Sequence, residues 1–166
     1  WLVWLLAAWP AAGADQHYDI RLSLDPLART FDAEVRVSLP ATADGRFGFG
    51  RGFLLQALAI DGEVMDAAAG SWPIATGRPV TIRYRAGLPT LAEAQTSATL
   101  TPFGDREGSF LPLIGWHPGL AVGTFTYAVT IDVPAGQRAV APGRMTDERE
   151  ADGRYLVRFV FDKPAR

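Results

Sequence analysis

The stretch that decides the fold class is residues 18–39, which read YDIRLSLDPLARTFDAEVRVSL. Apolar and polar side chains alternate on both sides of Asp25-Pro26, and a period of two is typical of a strand with one buried face. Proline fixes its own φ angle and an aspartate side chain can bond the backbone ahead of it, so this pair marks a turn. The stretch therefore predicts two neighbouring antiparallel strands that share a core-facing side.

The same alternation returns along the rest of the chain. It covers residues 79–86, 124–133 and 154–161, and an apolar run covers residues 53–60 before the Asp61-Gly62 turn. A short strand is expected at 138–141, and residues 88–95 can form one or two helical turns. We predict an all-β fold, an antiparallel β-sandwich of about seven to nine short strands, as one domain over residues 15–166.

Composition limits the functions of this domain. The 166 residues carry a formal net charge of −2 and a pI of about 5.7, which argues against a nucleic-acid-binding surface. Cysteine is absent, which excludes disulfides, thiolate metal sites and cysteine nucleophiles. The two histidines, His17 and His117, are too far apart in sequence for the His-x-x-x-His pair of a zinc helix. We predict no metal, no other cofactor and no catalytic residue in this chain.

The chain begins with an apolar run, WLVWLLAAWPAAGA at residues 1–14, that has no charge and closes on Ala12-Gly13-Ala14. Such a run is typical of a secretory signal peptide, and it is shorter than the roughly 20 residues that a spanning helix needs. A buried N-terminal helix is the alternative, and Pro10 argues against it. We predict a signal peptide over residues 1–14 without its basic n-region, and a mature part without a transmembrane span. The protein is then exported to a bacterial periplasm, to the cell surface or to the exterior.

The stretch from Gln95 to Gly123 interrupts the strand rhythm with prolines and glycines, yet it carries Phe110 and Trp116. A long irregular segment in a compact domain is usually functional. We expect it at one edge of the sandwich, with both aromatic side chains packed inward. The candidates for an exposed apolar patch on that edge are Leu111, Leu113, Ile114 and Leu120.

Five pieces of sequence occur in a recognisable order along the chain. They are YDIRLSLDP at 18–26, FDAEVRV at 31–37, LAIDG at 58–62, IRYRAG at 82–87, and WHP at 116–118 with FTYAVTIDVPAG after it at 125–136. In this order they resemble the saddle-like N-terminal β-domain of the aminopeptidase N type of zinc metallopeptidase. This is the gluzincin family that includes the membrane alanyl aminopeptidases.

The resemblance implies a non-catalytic part of a substrate cleft, truncated before the catalytic domain. The family's His-Glu-x-x-His zinc helix and its Gly-x-Met-Glu-Asn motif are absent from the sequence, and Gly119-Leu120-Ala121 replaces the Cys-x-Asp-Glu-Pro run after the aromatic-proline element. The chain therefore resembles a divergent member whose domain is cut at its C-terminal end and whose catalytic domain lies beyond Arg166. Zinc is then the cofactor of the parent enzyme. The implied partners are the catalytic domain of the same polypeptide and a peptide substrate.

Two residues are candidates for substrate binding in such a parent. In the family a Gln or Glu several residues before the aromatic-proline element reaches the substrate α-amine, and Glu107 is the nearest carboxylate at a comparable distance. A carboxylate makes a charge-assisted hydrogen bond to an ammonium group; the alternative is a solvated charge beside Arg106. Trp116 can line a substrate pocket or plug the core under the loop. His117 has no ligand-type neighbours in sequence, which favours a structural or exposed role.

A stand-alone exported β-sandwich module that binds protein or carbohydrate is the competing hypothesis. The two hypotheses predict different coding sequences downstream of Arg166: a zinc helix in the first case, and an early stop codon in the second.

Overall fold

Strands dominate the part of the chain that the computed structural model describes, residues 16–38, 45–96, 101–112, 115–119 and 123–165. The predicted signal peptide lies outside these residues. The strands are β1 (Gln16–Asp25), β2 (Thr30–Ser38), β3 (Arg46–Phe47), β4 (Leu54–Ile60), β5 (Glu63–Val64), β6 (Trp72–Pro73), β7 (Pro79–Gly87), β8 (Phe103–Asp105), β9 (Gly108–Phe110), β10 (Phe125–Pro134), β11 (Arg144–Ala151) and β12 (Arg154–Ala165), with one helix, α1 (Leu91–Gln95). The all-β prediction is confirmed.

Eight strands form one large sheet in the order β11-β12-β10-β1-β2-β7-β4-β5, and two-stranded ribbons pair β3 with β6 and β8 with β9. The predicted first hairpin is confirmed, since β1 and β2 pair antiparallel from His17 beside Ser38 to Asp25 beside Thr30. The helix at the end of the 88–95 segment is confirmed as well. It has a capping box, in which Thr90 Oγ1 accepts the Glu93 N–H at 3.2 Å and the Glu93 carboxylate accepts the Thr90 N–H at 2.7 Å.

The sheet is mixed, which corrects the expectation of a purely antiparallel arrangement. β1 and β10 run parallel, from Gln16 beside Phe125 to Ser23 beside Asp132. A parallel neighbour requires a long crossover, and the chain between β1 and β10 supplies one. Period-two alternation is the same in both kinds of pair, so the sequence pattern alone could not distinguish them.

One face of the large sheet forms the core. Buried and exposed residues alternate along β1, β2 and β7, and Val35 and Ile82 are completely buried. The residues that alternate with the buried ones along these strands, such as Arg21 and Glu34, point to the opposite, polar face. A core of this kind is stabilised mainly by the removal of apolar surface from water.

Loops and the β3–β6 ribbon cover the apolar face, where the sandwich prediction places a second full sheet. Phe47, Trp72 and Trp116 belong to the same core cluster as the strand residues. The Trp116 ring meets Phe31 of β2 edge-on, with centroids 6.1 Å apart. Trp116 therefore lies over the middle of the sheet, which corrects the expectation of an edge position for this residue, whereas the β8–β9 hairpin of the same stretch lies at one end of the sheet. Aromatic side chains gain more burial over the sheet centre than at its rim.

The patch expected on that stretch is not found where the structure describes it. Leu111 is partly buried and packs against the core. Leu113, Ile114 and Leu120 lie outside the described residues.

Sequence periodicity does not reveal β11. All eight of its residues are exposed, and it pairs with β12 at the edge of the large sheet. The strand expected at 138–141 is irregular chain instead. An edge strand with water on both faces shows no apolar alternation, and charged side chains protect such an edge from pairing with other chains.

A search of the described residues for a helix long and apolar enough to cross a membrane finds none.

Candidate functional site

The predicted substrate-amine residue, Glu107, lies at the tip of the β8–β9 hairpin. Phe103 and Phe110 stack across this hairpin with ring centroids 5.7 Å apart. Asp105 Oδ1 accepts the Glu107 backbone N–H at 3.4 Å, which supports the tight turn. The Glu107 side chain is exposed, and no hydrogen bond or ion pair to its carboxylate is found among the described residues. The carboxylate is thus available to a group outside this domain.

The hairpin is fixed to one end of the large sheet. The Gly104 N–H donates to the Pro89 carbonyl at 2.8 Å. A side chain at Gly104 would lie 3.2 Å from Leu88 and 3.4 Å from Arg29, so glycine permits this close approach. The end concerned is the one where β7 stops and β2 starts.

Trp116, the second candidate, lies in the core. The residue is only 8% exposed, and its backbone carbonyl accepts a hydrogen bond from the Tyr84 hydroxyl at 2.9 Å. Burial raises the pKa of Tyr84 well above its ordinary value of 10.0, so the phenol stays protonated and donates this bond. Of the two roles considered for Trp116, this position is that of a core plug under the loop. Contact of Trp116 with a substrate stays a prediction.

The two histidines lie in different environments. His117 is 7% exposed and packs among the rings of Tyr18, Trp116 and Phe125 at centroid distances of 5.2, 5.5 and 6.0 Å. His17 is exposed, with its Nδ1 2.8 Å from Thr126 Oγ1. No group of three or more His, Asp or Glu side chains that could hold a metal ion occurs in the described ranges.

Four arginine–carboxylate ion pairs on the polar face of the sheet are not among the features expected from the sequence. They are Arg83–Glu34 at 2.7 Å, Arg85–Asp32 at 2.7 Å, Arg154–Asp132 at 2.8 Å and Arg158–Asp19 at 3.3 Å. The sequence contains a pattern that could have predicted the first two pairs, because β2 carries acids and β7 carries arginines at alternate positions. A shallow hollow of about 720 Å³ on this face is lined by four arginines and four carboxylates. These charges balance, so the face offers no net attraction to a charged ligand.

Comparisons with known proteins gave matches at the level of structure only. No protein-family model matches the chain. No curated protein sequence matches it either.

Solved structures do match. The M1 zinc metallopeptidase of Deinococcus radiodurans aligns over 93% of this chain at 23% identity with a TM-score of 0.60. A variant of the same protein bound to a Tyr-Ser-Ala substrate aligns over 92% of this chain at 22% identity with a TM-score of 0.62. The chain has the fold of one part of an M1 zinc metallopeptidase.

Coverage is unequal on the two sides of these alignments. The chain spans 40% of the Deinococcus chains. It also aligns over 96% of its length with aminopeptidase A of Legionella pneumophila in complex with aspartic acid, at 16% identity and a TM-score of 0.60, and spans 21% of that chain. The resemblance drawn from the sequence is confirmed at the level of the fold, and the matched chains contain a larger remainder for which this chain has no counterpart.

Proposed function

We propose that this chain is the non-catalytic N-terminal substrate-cleft domain of an exported zinc aminopeptidase-like metallopeptidase. The observation that carries the proposal is the alignment of nearly the whole chain with M1 zinc metallopeptidase structures of which it spans only two fifths. One of those structures holds a Tyr-Ser-Ala substrate. The matched aminopeptidase A of Legionella, of which the chain spans 21%, holds aspartic acid. A peptide with a free amino terminus is therefore the substrate class proposed for the parent.

The residues of this domain do not fit a zinc site. A catalytic zinc requires about three protein ligands held close together. His117 sits among aromatic rings, and His17 lies on the surface beside a threonine. We therefore derive no catalytic step through a metal in this domain, and the zinc of the parent belongs to the catalytic domain.

The role proposed for this domain is to recognise the amino terminus of the substrate. Glu107 is exposed at the tip of a short hairpin, with a carboxylate that no described residue occupies. The stacked Phe103 and Phe110 rings and the Gly104–Pro89 hydrogen bond hold the base of that hairpin. A carboxylate at the tip of such a hairpin can bind an ammonium group through a charge-assisted hydrogen bond and so select free amino termini.

Export is part of the proposal and rests on residues 1–14. Their apolar composition and small-residue end are typical of a signal peptide, which leads to the bacterial periplasm, the cell surface or the exterior.

The coding sequence downstream of Arg166 tests the proposal. We expect it to continue in frame into a domain that contains His-Glu-x-x-His and a more distant glutamate. A stop codon soon after Arg166 contradicts the proposal and favours the stand-alone binding module. A long continuation without a zinc helix refutes the aminopeptidase assignment.

A further inference from the structure

Three exposed leucines lie at one end of the large sheet. Leu27 is 77% exposed, Leu54 is 68% exposed and Leu91 is 39% exposed. A single exposed leucine needs no explanation, but several at one place mark an interaction surface. We call this surface, defined by Leu27, Leu54 and Leu91, the leucine end.

Strand register brings Leu27 and Leu54 to the same end. Leu54 starts β4 opposite Gly87, the last residue of β7. Gly87 is also opposite Thr30, the first residue of β2, and Leu27 lies in the turn that leads into β2. The two leucines thus belong to neighbouring strand ends.

Leu91 joins them through the segment between β7 and α1. The Leu88 N–H donates to the Arg29 carbonyl at 2.7 Å, which ties this segment to the β1–β2 turn. Leu91 then begins α1. The side chain of Leu88 is buried, so the exposed Leu91 is the outward apolar residue of this connection.

The leucine end also contains a hollow and an unpaired strand edge. The hollow has a volume of about 520 Å³ and a mixed lining, in which Phe53, Leu54 and Leu88 are apolar and Arg29, Gln56 and Glu93 are polar. β5 pairs with β4 only at Ala59 and Ile60, so residues 54–57 of β4 have a strand partner on one side only within the described chain. An unpaired strand edge beside exposed leucines is a surface on which another part of a polypeptide can pack.

The hairpin that carries Glu107 lies at this same end. The Gly104–Pro89 hydrogen bond attaches it to the segment between β7 and α1. A carboxylate that reaches a substrate held by another domain must face that domain. The apolar surface around the hairpin base therefore faces it too.

We infer that the leucine end docks against the remainder of the same polypeptide, through an apolar surface of the catalytic domain. This inference rests on the proposed function. The chain spans only 40% of the Deinococcus M1 structures that share its fold, so those chains contain a remainder longer than this domain. The leucine end supplies an apolar contact next to the one exposed group, Glu107, that is proposed to enter the cleft.

Two other exposed aliphatic residues serve as matched controls. Val64 is 88% exposed and lies in β5, beside the opposite end of β4. Val140 is 89% exposed and lies in the irregular segment whose Pro142 carbonyl accepts the Tyr127 hydroxyl at 2.7 Å. Neither belongs to the leucine end, so the inference predicts that both stay exposed in the longer protein.

The test is thiol labelling of the full-length protein encoded by the gene. This chain contains no cysteine, so Leu27→Cys, Leu54→Cys, Val64→Cys and Val140→Cys each add one reporter, and the unsubstituted parent gives the background. A bulky maleimide is the probe. We expect both leucine positions to react at least about tenfold more slowly than the two controls, because a covered thiol reacts only when the interface opens.

Equal labelling rates at all four positions overturn the inference. Slow labelling that becomes fast on dilution also overturns it, because the covering surface is then a second copy of the chain. The proposed function fails by a different result, the absence of a zinc helix downstream of Arg166. As a second measurement, Leu54→Arg should make the full-length protein more sensitive to limited proteolysis between its two parts than Val64→Arg does. Equal sensitivity of these two variants contradicts the docking.

Discussion

Replacing Trp116 by alanine separates the two roles considered for this residue. Its ring is covered by the sheet, meets Phe31 edge-on at 6.1 Å and contacts the His117 ring at 5.5 Å. The residue is only 8% exposed. A core plug of this kind should reduce stability when it is truncated, whereas a pocket-lining residue should reduce substrate affinity with little loss of stability.

Burial sets the magnitude of the expected loss. Truncation of a buried Phe or Trp to alanine costs about 3–5 kcal/mol, through lost transfer free energy and the cavity left behind. The edge-on contact with Phe31 accounts for roughly 0.5–1.5 kcal/mol of that loss. The hydrogen bond from Tyr84 goes to the Trp116 backbone carbonyl, so truncation of the side chain does not delete its acceptor. Since a domain is stable by about 5–15 kcal/mol, Trp116→Ala should remove a large share of the free energy of unfolding.

The assay is urea unfolding monitored by far-ultraviolet circular dichroism, because the substitution itself changes tryptophan fluorescence. Val140→Ala is the control, since Val140 is 89% exposed and surface changes usually stay within about 0.5 kcal/mol. A loss below about 1 kcal/mol for Trp116→Ala, with an unchanged denaturant slope, would refute the core assignment.

Three further predictions concern charge and protonation. In the full-length enzyme, Glu107→Ala should raise KM for aminoacyl substrates by about tenfold, the equivalent of roughly 1.4 kcal/mol, while Asp147→Ala, on the exposed edge strand β11, leaves KM unchanged; an unchanged KM for Glu107→Ala removes the substrate-amine role. The Thr81 backbone N–H, at 2.9 Å from Asp61 Oδ1, and then a neighbouring arginine lower the pKa of Asp61 below its ordinary 3.8. The ionised Asp61 therefore stabilises the fold above pH 3.8, and this stabilisation is lost as pH falls through the lowered pKa. The difference in free energy of unfolding between wild type and Asp61→Asn should narrow in acid; a difference that does not change with pH contradicts this role of Asp61. Burial raises the pKa of Tyr84, so the contribution of its neutral phenol to the stability of the fold is complete below pH 10 and declines above it. Tyrosinate absorbance should therefore appear at higher pH in the folded protein than in urea, and Tyr84→Phe should narrow that gap; coincident titrations contradict the burial.

The sequence was sufficient to predict the strands that have one face in the core and one in water. The alternation of Tyr18, Ile20 and Leu22 specifies which face of β1 is buried, whatever its neighbour is. The direction of β10 depends on the path of the chain between the two strands, which no local pattern encodes. β11 lies at an edge with all residues exposed, so its sequence shows no alternation of apolar and polar residues.

The candidate site was predictable in part for a similar reason. A Pro- and Gly-rich segment with aromatic residues indicates irregular chain with buried rings, and Trp116 is buried as expected. The position of Trp116 over the sheet depends on long-range packing against Phe31 and Tyr84, and the sequence-based expectation of an edge position failed for this residue. The cross-strand pairs Arg83–Glu34 and Arg85–Asp32 depend on the register of β2 against β7, which only the folded sheet defines.

The most direct test of the central claim is the zinc content and peptidase activity of the full-length protein. After dialysis it should retain zinc in stoichiometric amount and hydrolyse peptides with a free amino terminus. N-acetylated peptides should resist it, and a chelator should abolish hydrolysis. A full-length protein that retains no zinc and cleaves neither kind of peptide would contradict the account.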